Sequence, residues 1–231
     1  MITNFEELNK TLTLDKANLI ILGGRTESGK STLVLDIVNN IGIKENIPIL
    51  YFNLETTKDI LVSQLVCINS NIDYSNFRNG NLDDNEWENL SRITKQLEES
   101  KIYIDDTSNI SIQEICNKAR KCKIENDVKI IVIDSLQFIS YDKGQLLSRD
   151  KEIEEILCQL KKLSKELKIS VLVTSQLTRT ESIKPTINDF HESNAVMENA
   201  NVVMLLYRDE KENFKMSISK NDYGECKDIS L

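Results

Sequence analysis

The sequence predicts a single α/β domain, in which a mostly parallel sheet is covered by helices on both faces and ends in antiparallel edge strands. Short apolar runs alternate with longer segments of helical periodicity along the 231 residues, which is the pattern of parallel strand–helix–strand units. An unbroken run rich in β-branched residues, Val128 to Ile133, is typical of a strand buried on both faces. Two apolar runs joined by a charged turn close the chain, and we expect them to form the antiparallel edge.

Each predicted element rests on a local pattern. The helix after the second strand places Leu61, Leu65 and Ile68 on one face, and Ser111-Ile-Gln-Glu114 is a capping box. The helix that begins near Asp83 carries acidic residues in its first turn, as the helix dipole favours. The predicted strands cover residues 18–22, 47–54, 101–105, 128–133, 170–174, 202–207 and 214–219. The predicted helices cover about residues 29–40, 57–69, a segment that starts at 83, 111–123 and 151–167.

Composition excludes several classes of protein. No apolar run approaches the roughly 20 residues of a membrane span, and the first residues lack the pattern of a signal peptide. Five scattered cysteines and one histidine disfavour a zinc site or a disulfide framework, so we expect reduced thiols, a cytoplasmic protein and no membrane partner. The net charge is −8, so the chain does not have the excess of basic residues that is usual in proteins that bind nucleic acid tightly. Any such binding is expected to use local loops or a ring of subunits.

The segment from Gly24 to Ser31 matches the pattern G-x-x-x-x-G-K-[ST] in full, between an apolar strand and a helix. In this setting backbone N–H groups surround phosphate oxygens, Lys30 reaches the β- and γ-phosphates, and the Ser31 hydroxyl can bind Mg²⁺. The alternative is a glycine turn that only caps the helix. We expect a nucleoside triphosphate, ATP with Mg²⁺, to bind at Gly24, Arg25, Thr26, Glu27, Ser28, Gly29, Lys30, Ser31 and Thr32.

Three polar residues follow other predicted strands. Asp134 ends a buried strand, where a carboxylate can hold the water shell of a metal ion. Glu55 lies at the carboxyl end of the second strand, where it can orient or deprotonate the attacking water. Gln176 follows another predicted strand in the same way, where it can contact the γ-phosphate. Each of the three could instead be a polar residue that caps a strand.

Seven blocks besides the glycine-rich loop recur together, in order, in one family. The chain resembles the carboxy-terminal ATPase domain of DnaB-type replicative helicases, a hexameric branch of the RecA-like NTPases, over nearly its whole length. The blocks are Thr3-Asn-Phe-Glu-Glu-Leu8, Phe52-Asn-Leu-Glu-Thr-Thr-Lys58, Asp83-Asp-Asn-Glu-Trp-Glu88, Tyr103-Ile-Asp-Asp-Thr107, Ile131-Val-Ile-Asp-Ser-Leu-Gln137, Ser175-Gln-Leu-Thr-Arg179 and Val202-Val-Met-Leu-Leu-Tyr-Arg-Asp-Glu210.

The resemblance implies specific roles and partners. Glu55 would be the general base, with Lys30 on the phosphates, Asp134 the metal-associated carboxylate and Gln176 the γ-phosphate contact. It also implies a hexameric ring with nucleotide between subunits, and single-stranded DNA in a central channel during DNA replication. The loop residues expected to face that DNA are Arg179, His191, Glu192 and Asn194.

Three features depart from the family pattern. Asp222 stands where the family has an arginine that reaches the γ-phosphate of the neighbouring subunit. Lys220 would then make this trans contact alone, a different basic residue would supply it, or hydrolysis would be weak. His191 replaces a fixed cation in the expected DNA loop with a mostly neutral imidazole. The helicase amino-terminal domain is not expected in this sequence, because residues 1–231 read as one RecA-like ATPase domain.

Two further functions remain open beside a DnaB-type helicase or translocase module. The first is a nucleotide-binding regulatory or helicase-interacting protein with weak hydrolysis, because a cation at the trans position is worth about 10³-fold or more in rate. It could associate with a related helicase instead of forming its own ring. The second is a RecA- or KaiC-like ATPase without helicase activity, which the blocks at 83–87 and 207–210 disfavour.

Overall fold

The described residues of the protein form one eight-stranded sheet in the order β3-β2-β4-β5-β1-β6-β7-β8. The computed structural model describes residues 8–9, 17–141, 148–191 and 193–231. The strands are β1 (Leu19–Gly24), β2 (Ile49–Asn53), β3 (Ile102–Asp105), β4 (Ile130–Asp134), β5 (Ser170–Gln176), β6 (Val202–Arg208), β7 (Phe214–Asn221) and β8 (Asp228–Ser230). Strands β1 to β6 pair in parallel, whereas β7 and β8 pair in antiparallel fashion at one edge. The predicted α/β fold class is therefore confirmed.

Seven helices connect or flank these strands. They are α1 (Lys30–Val38), α2 (Lys58–Ser70), α3 (Tyr74–Asn79), α4 (Asp84–Glu99), α5 (Ile112–Asn126), α6 (Arg149–Leu167) and α7 (Ser193–Asn199) in the described part of the chain. A π-helical turn (Asn39–Lys44) extends α1, and 3-10 turns lie at Leu136–Phe138 and Ile187–Asp189. The predicted capping box at the start of α5 is present, with Ser111 and Glu114 each bonded to the other's backbone N–H.

Two separate cores cover the two faces of the sheet. Along the central strand β1, Leu19 and Ile21 belong to one core, whereas Ile20 and Leu22 belong to the other, because successive strand side chains point to opposite faces. The first core includes buried residues of α5, α6 and α7. The second includes buried residues of α1 and α2. Helices on both faces therefore bury the central strands fully, which explains their continuous apolar sequences.

The sheet order brings together the carboxyl ends of β2, β4, β5 and β1. These strands are consecutive neighbours, all parallel, so the segments that follow them emerge at one edge of the sheet. Asn53 lies opposite Asp134, and Gly24 lies opposite Gln176. In open parallel sheets this edge is the usual place for a ligand. No helix of the described segments is long and apolar enough to cross a membrane.

Candidate nucleotide site

The segment Gly24–Ser31, called here the phosphate loop, connects β1 to α1. Gly29 precedes the first helical residue with φ at 88°, in the left-handed region. A Cβ atom at this position would lie 2.8 Å from Cε1 of Phe214, so both backbone and space require glycine. The loop closes on itself through a bond in which the Ser28 N–H donates to the Arg25 carbonyl oxygen at 3.2 Å.

The Lys30 side chain forms hydrogen bonds with the backbone of the phosphate loop. Its Nζ donates to the carbonyl oxygens of Gly24 and Arg25, each at 2.8 Å. Partial burial lowers the pKa of the Lys30 ammonium, and the carboxylates of Asp134 and Glu55 oppose that shift. Both carboxylates are therefore close enough to the ammonium to act on it electrostatically, which brings three predicted site residues into one region.

Asp134 ends β4 and is only 3% exposed. The Thr174 hydroxyl donates to its Oδ1 and the Tyr51 hydroxyl donates to its Oδ2 at 3.4 Å. Burial and the Asp134 carboxylate raise the pKa of the Tyr51 hydroxyl well above its usual range, so Tyr51 stays a proton donor at neutral pH. The Asp134 carboxylate is thus fixed in orientation from two neighbouring strands.

Glu55 and Gln176 approach the phosphate loop from β2 and β5. Glu55 is exposed two residues beyond the end of β2. Gln176 is the last residue of β5, and its Nε2 donates to the Thr26 hydroxyl at 2.6 Å. The Leu177 N–H also donates to the Gly24 carbonyl oxygen at 3.1 Å. The end of β5 is therefore attached directly to the phosphate loop.

A cleft of about 390 Å³ lies between these elements. Oxygen donors suit Mg²⁺, which is commonly held by few protein ligands together with nucleotide phosphates and water. The hydroxyl of Ser31 and the carboxylates of Glu55 and Asp134 fit that chemistry, although Asp134 itself does not line the cleft. The lining residues are Thr26, Glu27, Ser28, Gly29, Lys30, Ser31, Thr32, Glu55, Ser135, Gln137, Phe138, Gln176, Arg208 and Phe214.

Arg208 and Phe214 complete the cleft and were not predicted from the sequence. They face each other across the turn between β6 and β7, with the Arg208 guanidinium 4.3 Å from the centre of the Phe214 ring. A planar cation and an aromatic face can both stack on a flat heterocycle. The sequence signal was weak, because both residues adjoin a charged turn that resembles an ordinary exposed loop.

Arg25, predicted to bind nucleotide, directs its side chain elsewhere. Its guanidinium donates to the Thr180 hydroxyl at 2.6 Å and to the Ile183 carbonyl oxygen at 3.4 Å, and it lies 3.6 Å from Asp189 Oδ2. Because all three partners belong to the segment after β5, Arg25 connects the phosphate loop to that segment. Its side chain is not part of the cleft lining described above.

The expected DNA contacts lie on the same segment and on the start of α7. Arg179, His191 and Asn194 are exposed, whereas Glu192 lies outside the described residues. Residues 3–7 of the first family block, Thr3 to Leu8, also lie outside them. The segment is braced by the Thr178 N–H, which donates to the Asp189 carbonyl oxygen at 2.9 Å.

Lys220, the candidate for a trans contact, lies away from the phosphate loop of its own chain. Gly24 pairs with Leu206 near the carboxyl end of β6, whereas Lys220 pairs with Val203 near the other end. The positions on β6 that pair with Gly24 and with Lys220 are therefore three residues apart, which is about 10 Å along the strand. Lys220 lies toward the opposite edge of the sheet and is not a cleft residue of the same chain.

Asp222 and Lys220 take part in local contacts at that opposite edge. Lys220 Nζ donates to the carbonyl oxygens of Met197 at 2.7 Å and Ala200 at 2.6 Å, and it lies 3.7 Å from Asp222 Oδ1. The Asn201 side-chain amide donates to Asp222 Oδ2 at 2.9 Å. Asp222 therefore supports the junction between α7 and β6 in its own chain.

Comparison with known proteins agrees with this architecture. The family model of the DnaB-like helicase C terminal domain matches residues 1–231. The replicative DNA helicase DnaC of Bacillus subtilis is 34% identical over 99% of this chain and 53% of its own length. The replicative DNA helicase DnaB of Geobacillus stearothermophilus is 35% identical over 95% of this chain and 49% of its own length.

Two solved structures share the fold closely. A DnaB-like replicative helicase, described with its interactions with primase, superposes with a TM-score of 0.91 at 26% identity, covering 99% of this chain and 58% of that protein. A second solved structure, of an ATPase domain, gives a TM-score of 0.91 at 25% identity, covering 98% of this chain and 85% of that one. The chain spans about half the length of the two curated relatives. By its sequence and its RecA-like fold, the chain belongs to the family of DnaB-like helicase C-terminal domains.

Proposed function

We propose that this chain is an ATP-hydrolysing motor domain of the DnaB type, acting with Mg²⁺ on single-stranded DNA in replication. One observation carries the proposal: the cleft at the carboxyl edge of the sheet gathers Lys30, Ser31, Glu55 and Gln176 from three strand ends. Lys30 is also under the electrostatic influence of Asp134. We treat residues 1–231 as one ATPase domain.

The phosphate loop binds the triphosphate. Its backbone N–H groups and the N-terminus of α1 attract the phosphate oxygens. Lys30 exchanges its bonds to the loop carbonyls for bonds to the β- and γ-phosphates. A bound Mg²⁺ would neutralise charge that develops on the β- and γ-oxygens. Ser31 would hold the ion directly, and Asp134 would hold it through water.

Glu55 and Gln176 act at the γ-phosphate. Glu55 orients the attacking water and accepts its proton, as a general base at the mouth of the cleft. Gln176 contacts the γ-phosphate and, through its bond to Thr26, senses the state of the phosphate loop. The purine base stacks against Phe214 and Arg208, which lie against each other and line the same cleft.

Single-stranded DNA is contacted by the segment that follows β5 and by the start of α7. Of the predicted DNA contacts, Arg179, His191 and Asn194 are exposed there. Their number is small, which fits a ring in which several subunits each contribute a few contacts. Lys220 then reaches the nucleotide of a neighbouring subunit, in a homohexamer or in association with a related helicase.

The catalytic part of the proposal is tested by measuring ATP binding and turnover with Mg²⁺ for Glu55→Gln and Lys30→Ala. Glu55→Gln is expected to retain ATP binding and lose about 10²-fold or more in turnover, because it removes only the proton acceptor. Lys30→Ala is expected to weaken both binding and turnover.

Lys44→Ala is the matched control, since Lys44 bonds to Asn40 at the far end of the same helical segment. It should leave both quantities unchanged. Full turnover in Glu55→Gln would contradict the assignment of Glu55, and undiminished ATP binding in Lys30→Ala would contradict the assignment of the phosphate loop.

A regulatory or helicase-interacting protein with weak hydrolysis is the second candidate function. The observation behind it is Asp222, an anion where the family has an arginine. The two relatives compared above are replicative helicases, which does not favour this alternative. ATP binding without Glu55-dependent turnover would support it over the motor.

A further inference from the structure

Glu55 lies in a short turn that its own side chain does not hold in place through hydrogen bonds. The turn, residues 54–57, connects β2 to α2 and is called here the Glu55 turn. Glu55 is exposed and makes no hydrogen bond or ion pair with any residue that the structure describes. The position of its carboxylate over the cleft therefore depends on how the backbone of the turn is fixed.

Asn53 fixes the turn at its β2 end. Its side chain is buried, with 2% of the residue exposed. Its Nδ2 donates to the carbonyl oxygen and hydroxyl of Thr56, at 2.9 and 3.0 Å, and to the carbonyl oxygen of Thr57 at 3.3 Å. The Thr56 hydroxyl donates back to Asn53 Oδ1 at 3.3 Å. One side chain thus spans the turn beneath Glu55.

Asp106 fixes the turn at its α2 end. Thr57 is the N-cap residue of α2, yet its side chain makes no capping bond. Instead Asp106 Oδ2 accepts a bond from the Lys58 N–H at 2.8 Å, from a position 48 residues further along the chain. A carboxylate is well suited to this place, because the helix N-terminus carries partial positive charge.

Asp106 directly follows β3, and the end of this strand is itself held by side-chain contacts. The neighbouring Asp105 forms an ion pair with Lys118 of α5 at 2.6 Å, and its Oδ1 accepts a bond from the Thr107 N–H at 3.1 Å. The cap on α2 is therefore attached to β3 and α5 rather than to a free loop. In addition, the Leu54 N–H donates to the Asp134 carbonyl oxygen at 2.7 Å, which ties the start of the turn to β4.

We propose that Asn53 and Asp106 are positioning residues, which together hold the Glu55 turn so that the Glu55 carboxylate faces the cleft. Neither side chain lines the cleft, so neither needs to touch the nucleotide. The inference rests on the proposed role of Glu55 in hydrolysis. It adds that the rate of hydrolysis depends on two hydrogen-bonding side chains outside the nucleotide site.

The test compares Asn53→Ala, Asp106→Ala and Asp106→Asn with the wild-type chain. Asn53→Ala and Asp106→Ala should each lower kcat by about 10²-fold, which is the cost of misplacing a catalytic group by about 1 Å. Their dissociation constants for ATP should stay unchanged, because the phosphate loop is untouched. Asp106→Asn keeps an acceptor oxygen for the Lys58 N–H and should restore kcat toward the wild-type value.

Hydrogen exchange supplies a second readout that does not need turnover. The amides from Glu55 to Lys58 should exchange faster in Asn53→Ala and in Asp106→Ala, and at the wild-type rate in Asp106→Asn. Asn69→Ala is the matched control, since the Asn69 amide donates to the Leu65 carbonyl oxygen at 2.8 Å within the same helix α2. It should change neither kcat nor exchange in the turn.

The outcomes separate this inference from the proposed function. Absent hydrolysis in the wild-type chain, or full turnover in Glu55→Gln, overturns the proposed function, while exchange in residues 55–58 still tests the positioning role. Wild-type kcat or unchanged exchange in Asn53→Ala and Asp106→Ala overturns the positioning role alone. Loss of ATP binding in parallel with kcat also overturns it, because the two residues would then act on the fold as a whole.

Discussion

Gly29 illustrates how strictly a single position of the phosphate loop is determined. Its φ of 88° lies in a region that side chains rarely adopt, and the ring of Phe214 occupies the space that a Cβ atom would need. Phe214 in turn is placed by its pairing with Arg208 across the β6–β7 turn. The packing of the phosphate loop against the cleft wall at Phe214 therefore requires glycine at this position.

Replacing Gly29 with alanine is expected to weaken ATP binding strongly. The added methyl group would displace either the loop or the Phe214 ring, and it would also strain the backbone by about 1 kcal/mol or more. Titration with a fluorescent ATP analogue measures the effect. Gly80→Ala is the matched control, because Gly80 has φ at 70° with nothing within 4 Å of the added atom. It should lose some stability and no ATP affinity, and equal ATP affinity in both variants would contradict the role of Gly29.

At the scale of elements, the sequence predicted the strands and helices that have a clear local pattern. It missed short elements whose formation depends on contacts with residues distant in the chain. The seven predicted strands are all present. The central ones are continuous apolar runs buried by helices on both faces, whereas β3 is only partly buried and β7 also carries polar residues. Strand β8 was missed since only Ile229 of its three residues is buried. Helices α3 and α7 were missed because six or seven residues are too few to show a helical period.

The candidate site likewise contains residues that the sequence predicted and contacts that it did not predict. The phosphate loop, Asp134, Glu55 and Gln176 were predicted because a motif or a strand end marks each of them in the sequence. The contacts of Asn53 and Asp106 were not, since the Asp106 bond joins residues 48 apart in the chain. Arg25 was assigned to nucleotide from its place in the motif, whereas its side chain bonds to the segment after β5.

That contact of Arg25 links two elements with separate proposed tasks. The phosphate loop would bind ATP, and the segment after β5 carries Arg179, proposed to contact DNA. Gln176, the last residue of β5 before that segment, makes a second link to the phosphate loop through Thr26. Movement of the segment on DNA would therefore be transmitted to the phosphate loop through a few short side-chain bonds.

Replacing Arg25 with lysine is expected to lower the stimulation of turnover by single-stranded DNA more than it lowers ATP affinity. A lysine cannot reproduce the fork that reaches Thr180, Ile183 and Asp189 together. Turnover with and without DNA, together with ATP titration, measures both effects. Arg120→Lys serves as control, since Arg120 makes a two-bonded pair with Glu166 that joins α5 and α6. If Arg25→Lys instead loses ATP affinity as strongly as DNA stimulation, the link between the elements is not its role.

At the scale of the whole molecule, the proposed function places the two halves of a nucleotide site on one chain, at opposite ends of its parallel strands. The phosphate loop lies at the carboxyl end of the parallel strands, whereas Lys220 lies toward their other end, so a contact of Lys220 with nucleotide is proposed only for the cleft of another chain. Asp222 beside it bonds to Asn201 and places a negative charge near that surface. This arrangement favours activity that depends on assembly.

The net charge of −8 indicates that DNA binding, too, depends on assembly. A single chain offers few exposed cations on the segment after β5, so its own affinity for DNA is expected to be low and sensitive to salt. Contacts repeated around a ring would raise the effective affinity without a basic face on each subunit. DNA binding and assembly are therefore expected to appear together.

The measurement that tests the account most directly is the ATP turnover rate with and without single-stranded DNA, over a range of protein concentrations, with the molar mass determined in parallel. We expect DNA to raise turnover, and to do so at concentrations where the measured mass exceeds that of a single chain. Turnover that single-stranded DNA leaves unchanged at every concentration would contradict the assignment of this domain as a DNA-dependent motor.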